Sequence, residues 1–153
     1  MKKPYILTGS VVLLGIGWYL LSPMIINTTV DEKISVRVES ESTVVVEGSF
    51  TDADSFHKGS GTVRILELEG LTFLRFENFE VTNGPTLHVL LSRNPSPTSS
   101  DELGEYVDLG KLKGNIGNQN YNIPEGTAIE EYGSVVIYCK PFKVIFTTAT
   151  LNQ

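Results

Sequence analysis

The chain of 153 residues has one cysteine, Cys139, so it can form no internal disulfide and its fold is held by packing alone or by a ligand. It has two methionines, Met1 and Met24, neither of them near Cys139 in sequence, and two histidines, His57 and His88. Lysine and arginine never cluster in the body of the chain: all eighteen acidic residues and only ten of the twelve basic ones follow Ile26, a formal charge of −8 for that part. A binder of phosphate backbones needs grouped cations, so nucleic acid is excluded as a partner. No G-x-S-x-G elbow occurs, and Gly59-Ser60-Gly61 runs into strand-like sequence instead of a helix N-terminus. Neither a serine hydrolase nor a phosphate cradle is therefore indicated. Amphipathic helical periodicity is also missing.

Charge is absent altogether between Pro4 and Val30, with Lys2 and Lys3 ahead. Residues 5–26 are apolar for about 20 positions, the length of a bilayer-spanning helix. No small-x-small cleavage site follows Leu21, so an uncleaved anchor is expected over 1–30, its N-terminus held in the cytoplasm by the two lysines. The chain is thus expected to be a single-pass protein of the cell membrane with an extracytoplasmic C-terminal domain. Residues 31–42 alternate Ile34, Val36 and Val38 with charged neighbours, as a stalk or an extra strand does.

From residue 43 to 153 the signals are those of strands. TVVVEGSF over 43–50 is β-branched and is expected to stop at Gly48; residues 62–68 alternate; LTFLRFENF over 71–79 has apolar residues on both faces. TLHVLLS over 86–92 is a continuous apolar run, as in a central strand covered on both sides. Residues 93–105 are too rich in Pro, Ser and Asp for regular structure and form a surface loop. A short strand over 106–109 precedes a chain of Gly- and Asn-rich turns through Pro124, one turn of helix near 126–131, and two closing strands, 134–139 and 142–151. The fold class implied is all-β, an antiparallel sandwich or barrel of about seven or eight strands, behind one N-terminal transmembrane helix.

The chemistry-bearing residues are few. Cys139 ends a strand in line with Val135 and Ile137, which suits a small buried hydrophobe; it is also the one candidate for a redox thiol. Lys140 would lower the thiol pKa only by approaching the sulfur, and neighbours on a strand point to opposite faces. Two imidazoles and a thiolate are a copper-type donor set, which makes His57, His88 and Cys139 the candidate metal ligands, yet no His or Met follows Cys139 as such sites require. His57 fits a loop-packing role and His88 a satisfied core histidine. Asp52 and Asp54 lack the remainder of a calcium loop. No cofactor is firmly implied, and Glu130-Glu131 gives no basis for a stand-alone enzyme.

Several ordered motifs resemble the electron-transfer DM-thirteen domain family. They are Gly48-Ser49-Phe50 with His57 and Gly61; Gly84-Pro85-x-Leu87-His88-Val89-x-Leu91-Ser92; Leu109-Gly110-x-Leu112-Lys113-Gly114; and Gly117-Asn118-Gln119-x-Tyr121 with Ile123-Pro124. The series closes on Ser134 to Cys139, Phe142, Val144, Phe146, Ala149 and Leu151. The resemblance spans residues 48–151. It implies an all-β extracytoplasmic domain with an accessory role in electron transfer or redox chemistry centred on Cys139, working with a redox or protein partner outside the membrane. The alternative is a non-catalytic interaction module in which Cys139 is core and residues 93–105 or the Asn-rich turns touch a partner.

Overall fold

The computed structural model describes residues 15, 17, 18, 26–34 and 40–152. The expected membrane helix over 5–26 and the alternating pair Val36 and Val38 fall largely or wholly outside these. Among the described residues no helix is long and apolar enough to cross a membrane.

Eight antiparallel strands form one sheet: β1 (Thr43–Asp52), β2 (Gly59–Leu68), β3 (Leu71–Val81), β4 (Leu87–Ser92), β5 (Tyr106–Lys111), β6 (Gln119–Asn122), β7 (Ser134–Cys139) and β8 (Val144–Asn152). Their order is β5-β4-β7-β8-β1-β2-β3-β6, and the sheet curls until β5 approaches β6, a nearly closed barrel. The first and last strands pair at its middle, with Gly48 opposite Leu151 and Phe50 opposite Ala149.

Alternation decides which side chains enter the barrel. Val46 and Phe50 come from β1, Val63 and Ile65 from β2, Val89 and Leu91 from β4, and Val135, Ile137 and Cys139 from β7. Each large apolar side chain so buried contributes about 1.5–3 kcal/mol. In β3 the pattern changes phase. Asn78 takes φ 49° opposite Gly61, which is at φ 103°, and the extra residue turns Phe79 inward beside Leu74 and Phe76. Leu71 and Phe73 are left outside. Phe50, Phe76 and Phe79 then meet with ring centroids 4.8 to 5.0 Å apart.

Strands β4 and β7 are covered on both sides, as the apolar run over 86–92 suggested. Their outward residues Leu90, Val136 and Tyr138 join Ile145 in a second, smaller core. Its lid is Leu103, from the 93–105 loop. That loop is fastened down: the Ser92 hydroxyl donates to the Leu103 carbonyl at 2.7 Å, Ser134 Oγ to the Asn94 carbonyl at 2.6 Å and Thr150 Oγ1 to the Pro95 carbonyl at 2.8 Å.

Two details differ from expectation. β1 runs four residues past Gly48, which is no stop. It allows the backbone of β8 to come so close that a Cβ there would lie 2.3 Å from the Thr150 carbonyl oxygen. And the turn chain contains a strand, β6, with Gln119 and Tyr121 pointing in: the buried Gln119 side chain exchanges hydrogen bonds with both backbone groups of Gly114 and accepts one from the Tyr121 hydroxyl at 2.7 Å. Burial raises the Tyr121 pKa, so the phenol stays protonated as that donor. The helical turn expected near 126–131 is a 3-10 turn at Ile129–Glu131.

Antiparallel order sorts the connections. Residues 53–58, 82–86, 112–118 and 140–143 form one end of the barrel, here the lower, and residues 69–70, 93–105 and 123–133 the upper. Residues 27–32 climb the wall from the lower end. Thr29 forms a parallel bridge with Ile116; the amides of Val30 and Glu32 donate to the carbonyls of Ile116 and Asn118, each at 2.9 Å. Asn27 is held by Asn83 and Asn115, and Glu32 by Lys113 and the Asn120 amide.

Candidate functional site

Cys139 closes β7 at the lower end and is fully buried. Its thiol donates to the Pro85 carbonyl at 3.1 Å. The sulfur is thereby fastened to the 82–86 connection. The same piece is pressed by Phe146: a Cβ on Gly84 would lie 2.5 Å from the tip of that ring, so only glycine lets the two pack.

Beside this connection lies a groove of about 450 Å³ lined by Phe56, His57, Pro85, Phe142, Val144 and Phe146, with Thr82 to Gly84 as its floor. Its wall is shaped by the 53–58 loop. The Asp54 carboxylate accepts the amides of Phe56 and His57, both at 2.7 Å, and bonds the His57 Nδ1 at 2.7 Å, turning the chain on itself. The His57 side-chain bond, together with those two amides, holds the Asp54 carboxyl at about 2, below the usual carboxylate range. The His57 ring packs on Phe146 with centroids 4.4 Å apart. His57 on the groove and Cys139 in the core thus both adjoin the 82–86 connection. With Nδ1 engaged by Asp54, Nε2 is the imidazole nitrogen left for another partner.

His88 goes elsewhere. It lies on the outer face of β4 opposite Tyr138, its Nδ1 3.0 Å from Asp108 of β5. Lys140 binds the same carboxylate. Burial raises the Asp108 pKa, but hydrogen bonds from Lys140, His88 and the Gly110 amide outweigh it and leave it lowered; the Lys140 pKa is raised by the same bond to Asp108. The ammonium therefore sits with Asp108 on the outside, while the thiol of Cys139 is inside. The three candidate ligands lie in three surroundings, a loop, an outer face and a core. Among the described residues no group of three His, Cys, Asp or Glu side chains is placed to hold a metal ion.

Two features of the site escaped sequence reasoning. Asp54, a calcium candidate by sequence, is a turn-former: it lies two and three residues before the amides it caps, a recognisable turn signal. Phe56, 82% exposed, gives no periodic signal because it stands in a loop, and Phe142, 67% exposed and expected to open the last strand, stands instead in the 140–143 turn, with β8 beginning at Val144. The Asn-rich turns are occupied: Asn115 by Thr28, Asn118 by Asp31 and Asn78, Asn120 by Arg75.

A family profile described as electron transfer DM13 matches residues 49–151, reaching all eight strands. No curated protein and no solved structure matches the chain.

Proposed function

The chain belongs to the electron transfer DM13 family, and from that premise we propose that it is an accessory redox domain at the outer face of a membrane, tethered by residues 5–26, with Cys139 as its reactive side chain. The family match over residues 49–151 is the observation that carries the redox part. The tether is supported by the charge-free run after Lys2 and Lys3, which at about 1.5 Å per residue spans a hydrocarbon core of about 30 Å.

With one cysteine in the chain, disulfide chemistry needs a second sulfur from outside it. In the step proposed, the Cys139 thiolate attacks one sulfur of a partner disulfide, a mixed disulfide forms, and the partner's second sulfur leaves as thiolate. Cys139 is fully covered, so the 82–86 connection must lift before the sulfur is reached. The groove outside it, with His57 and three phenylalanines, is where an approaching group would rest.

The test uses the full chain in lipid vesicles, treated with a small aromatic disulfide. Slow formation of a mixed disulfide on the folded protein, reversed by added thiol and accelerated in Gly84→Ala, is the expected result. Reaction only after denaturation would overturn it. That outcome would favour the second reading, an interaction module with Cys139 as core, which the complete burial of the thiol supports.

A further inference from the structure

We infer that the lower end of the barrel is a lipid-contact surface that lies directly on the bilayer, with Phe56 and Phe142 in the interfacial layer. The inference rests on the tether proposed above and adds where the domain stands and which way it faces.

The first observation is the route of the chain. Ile26, the last residue of the apolar run, lines a cavity of about 390 Å³ with Asn83, Gly84 and Asn115 at the lower end. Asn27 is bonded to Asn83 and Asn115, and Thr28 to Asn115 at 2.6 Å. From Ile26, the last residue of the apolar run, to Glu32 the chain lies on the barrel. A stalk would let the domain tumble above the membrane, whereas residues 27–32 are part of the domain and fix its lower end where the run leaves the lipid.

The second is what that end displays. Phe56 and Phe142 are the two most exposed phenylalanines, and both line the groove that shares Asn83 and Gly84 with the Ile26 cavity. Ile26 is itself 54% exposed. Aromatic rings beside the exit of a membrane segment suit the interfacial layer.

The third is charge. In the lower connections, Lys58, Lys113, Lys140 and Lys143 stand with one acid, Asp54. Counting also Asp52, Glu32 and Asp108, the carboxylates that pair with three of these lysines, leaves this end formally neutral. The upper connections carry Glu69, Asp101, Glu102, Glu105, Glu125, Glu130 and Glu131 against Arg93 alone, a formal −6. An acidic domain is repelled by anionic lipid. Here the repelling charge is carried at the end away from the bilayer.

The experiment places single tryptophans in the full chain, reconstituted in vesicles of phosphatidylcholine and phosphatidylglycerol with bromine on the acyl chains. The native Trp18 reports the tether; in a Trp18→Phe background, Phe56→Trp and Phe142→Trp report the lower end. Leu71→Trp, at an equally apolar and 73% exposed position of the upper end, is the control. All three replaced side chains are exposed, so folding is kept. Bromine quenching is expected at positions 18, 56 and 142 and not at 71. Quenching at 18 without quenching at 56 and 142 overturns the docking and leaves the tether standing. Quenching at 71 equal to that at 56 overturns the orientation. No quenching at 18 overturns the tether, and the docking with it.

Discussion

Gly117→Ala should release residues 27–32 from the barrel while leaving the barrel folded. Gly117 sits at φ 105°, and a Cβ there would lie 2.0 Å from the Val30 carbonyl oxygen. Strain of this kind costs about 1–3 kcal/mol. What opposes it is small. On the order of ten hydrogen bonds hold the segment, at a net ~1 kcal/mol each, against the ordering of about six residues at ~1–2 kcal/mol apiece. The docking is therefore within a few kcal/mol of balance. Amide exchange of Val30 and Glu32, whose N–H groups donate to Ile116 and Asn118, is expected to accelerate about 5- to 150-fold, with amides of β7 and β8 unchanged. The control is Gly126→Ala, also at positive φ but with nothing within 4 Å of the added carbon. Unchanged exchange at Val30 in Gly117→Ala, or equal acceleration in the control, would refute the reasoning.

Cys139→Ser puts a hydroxyl in a fully buried site; the Pro85 carbonyl can still accept its proton, so a loss of about 1–3 kcal/mol is expected in urea unfolding. Phe76→Ala removes a ring that touches Phe50, Phe79 and Tyr121 and should cost about 3–5 kcal/mol in the same assay. Asp54 has its folded pKa lowered from 3.8 to about 2, so its bonds contribute fully above the ordinary value and are lost as pH falls through about 2. The amide resonances of Phe56 and His57 should move together between about pH 4 and 2, and this movement should be absent in Asp54→Asn.

Most of the strands were legible because burial on one face leaves a period of two, as in Val63 and Ile65, or burial on both leaves a run, as in residues 87–92. β6 was not, since its inward residues are Gln119 and Tyr121: a polar side chain can fill a core position once Gly114 satisfies it, and hydrophobic patterning cannot see that. The inward turn of Phe79 was hidden for a related reason, because one residue at positive φ resets the phase of β3. For the site, the family motifs point to His57 and Cys139, and the structure sets both against the 82–86 connection. The connection that both adjoin is contributed by residues 25–29 and 53–57 positions away, a distance at which spacing in sequence says nothing. His88, expected in the core, lies one residue out of phase with Leu87 and Val89 and so faces Asp108.

The pairing of β1 with β8 at the middle of the sheet has a consequence for biosynthesis. In the order of the sheet two halves, β5-β4-β7-β8 and β1-β2-β3-β6, share their strand pairing along that seam, which links residues about a hundred positions apart. While the ribosome is still making residues 144–152, residues 47–52 of β1 lack their β8 partners. Closure must wait until β8 has been made and is free to pair, and with contacts this distant it should take milliseconds to seconds. During that interval the exposed edges of β1 and β7 are the places where a chaperone would be needed.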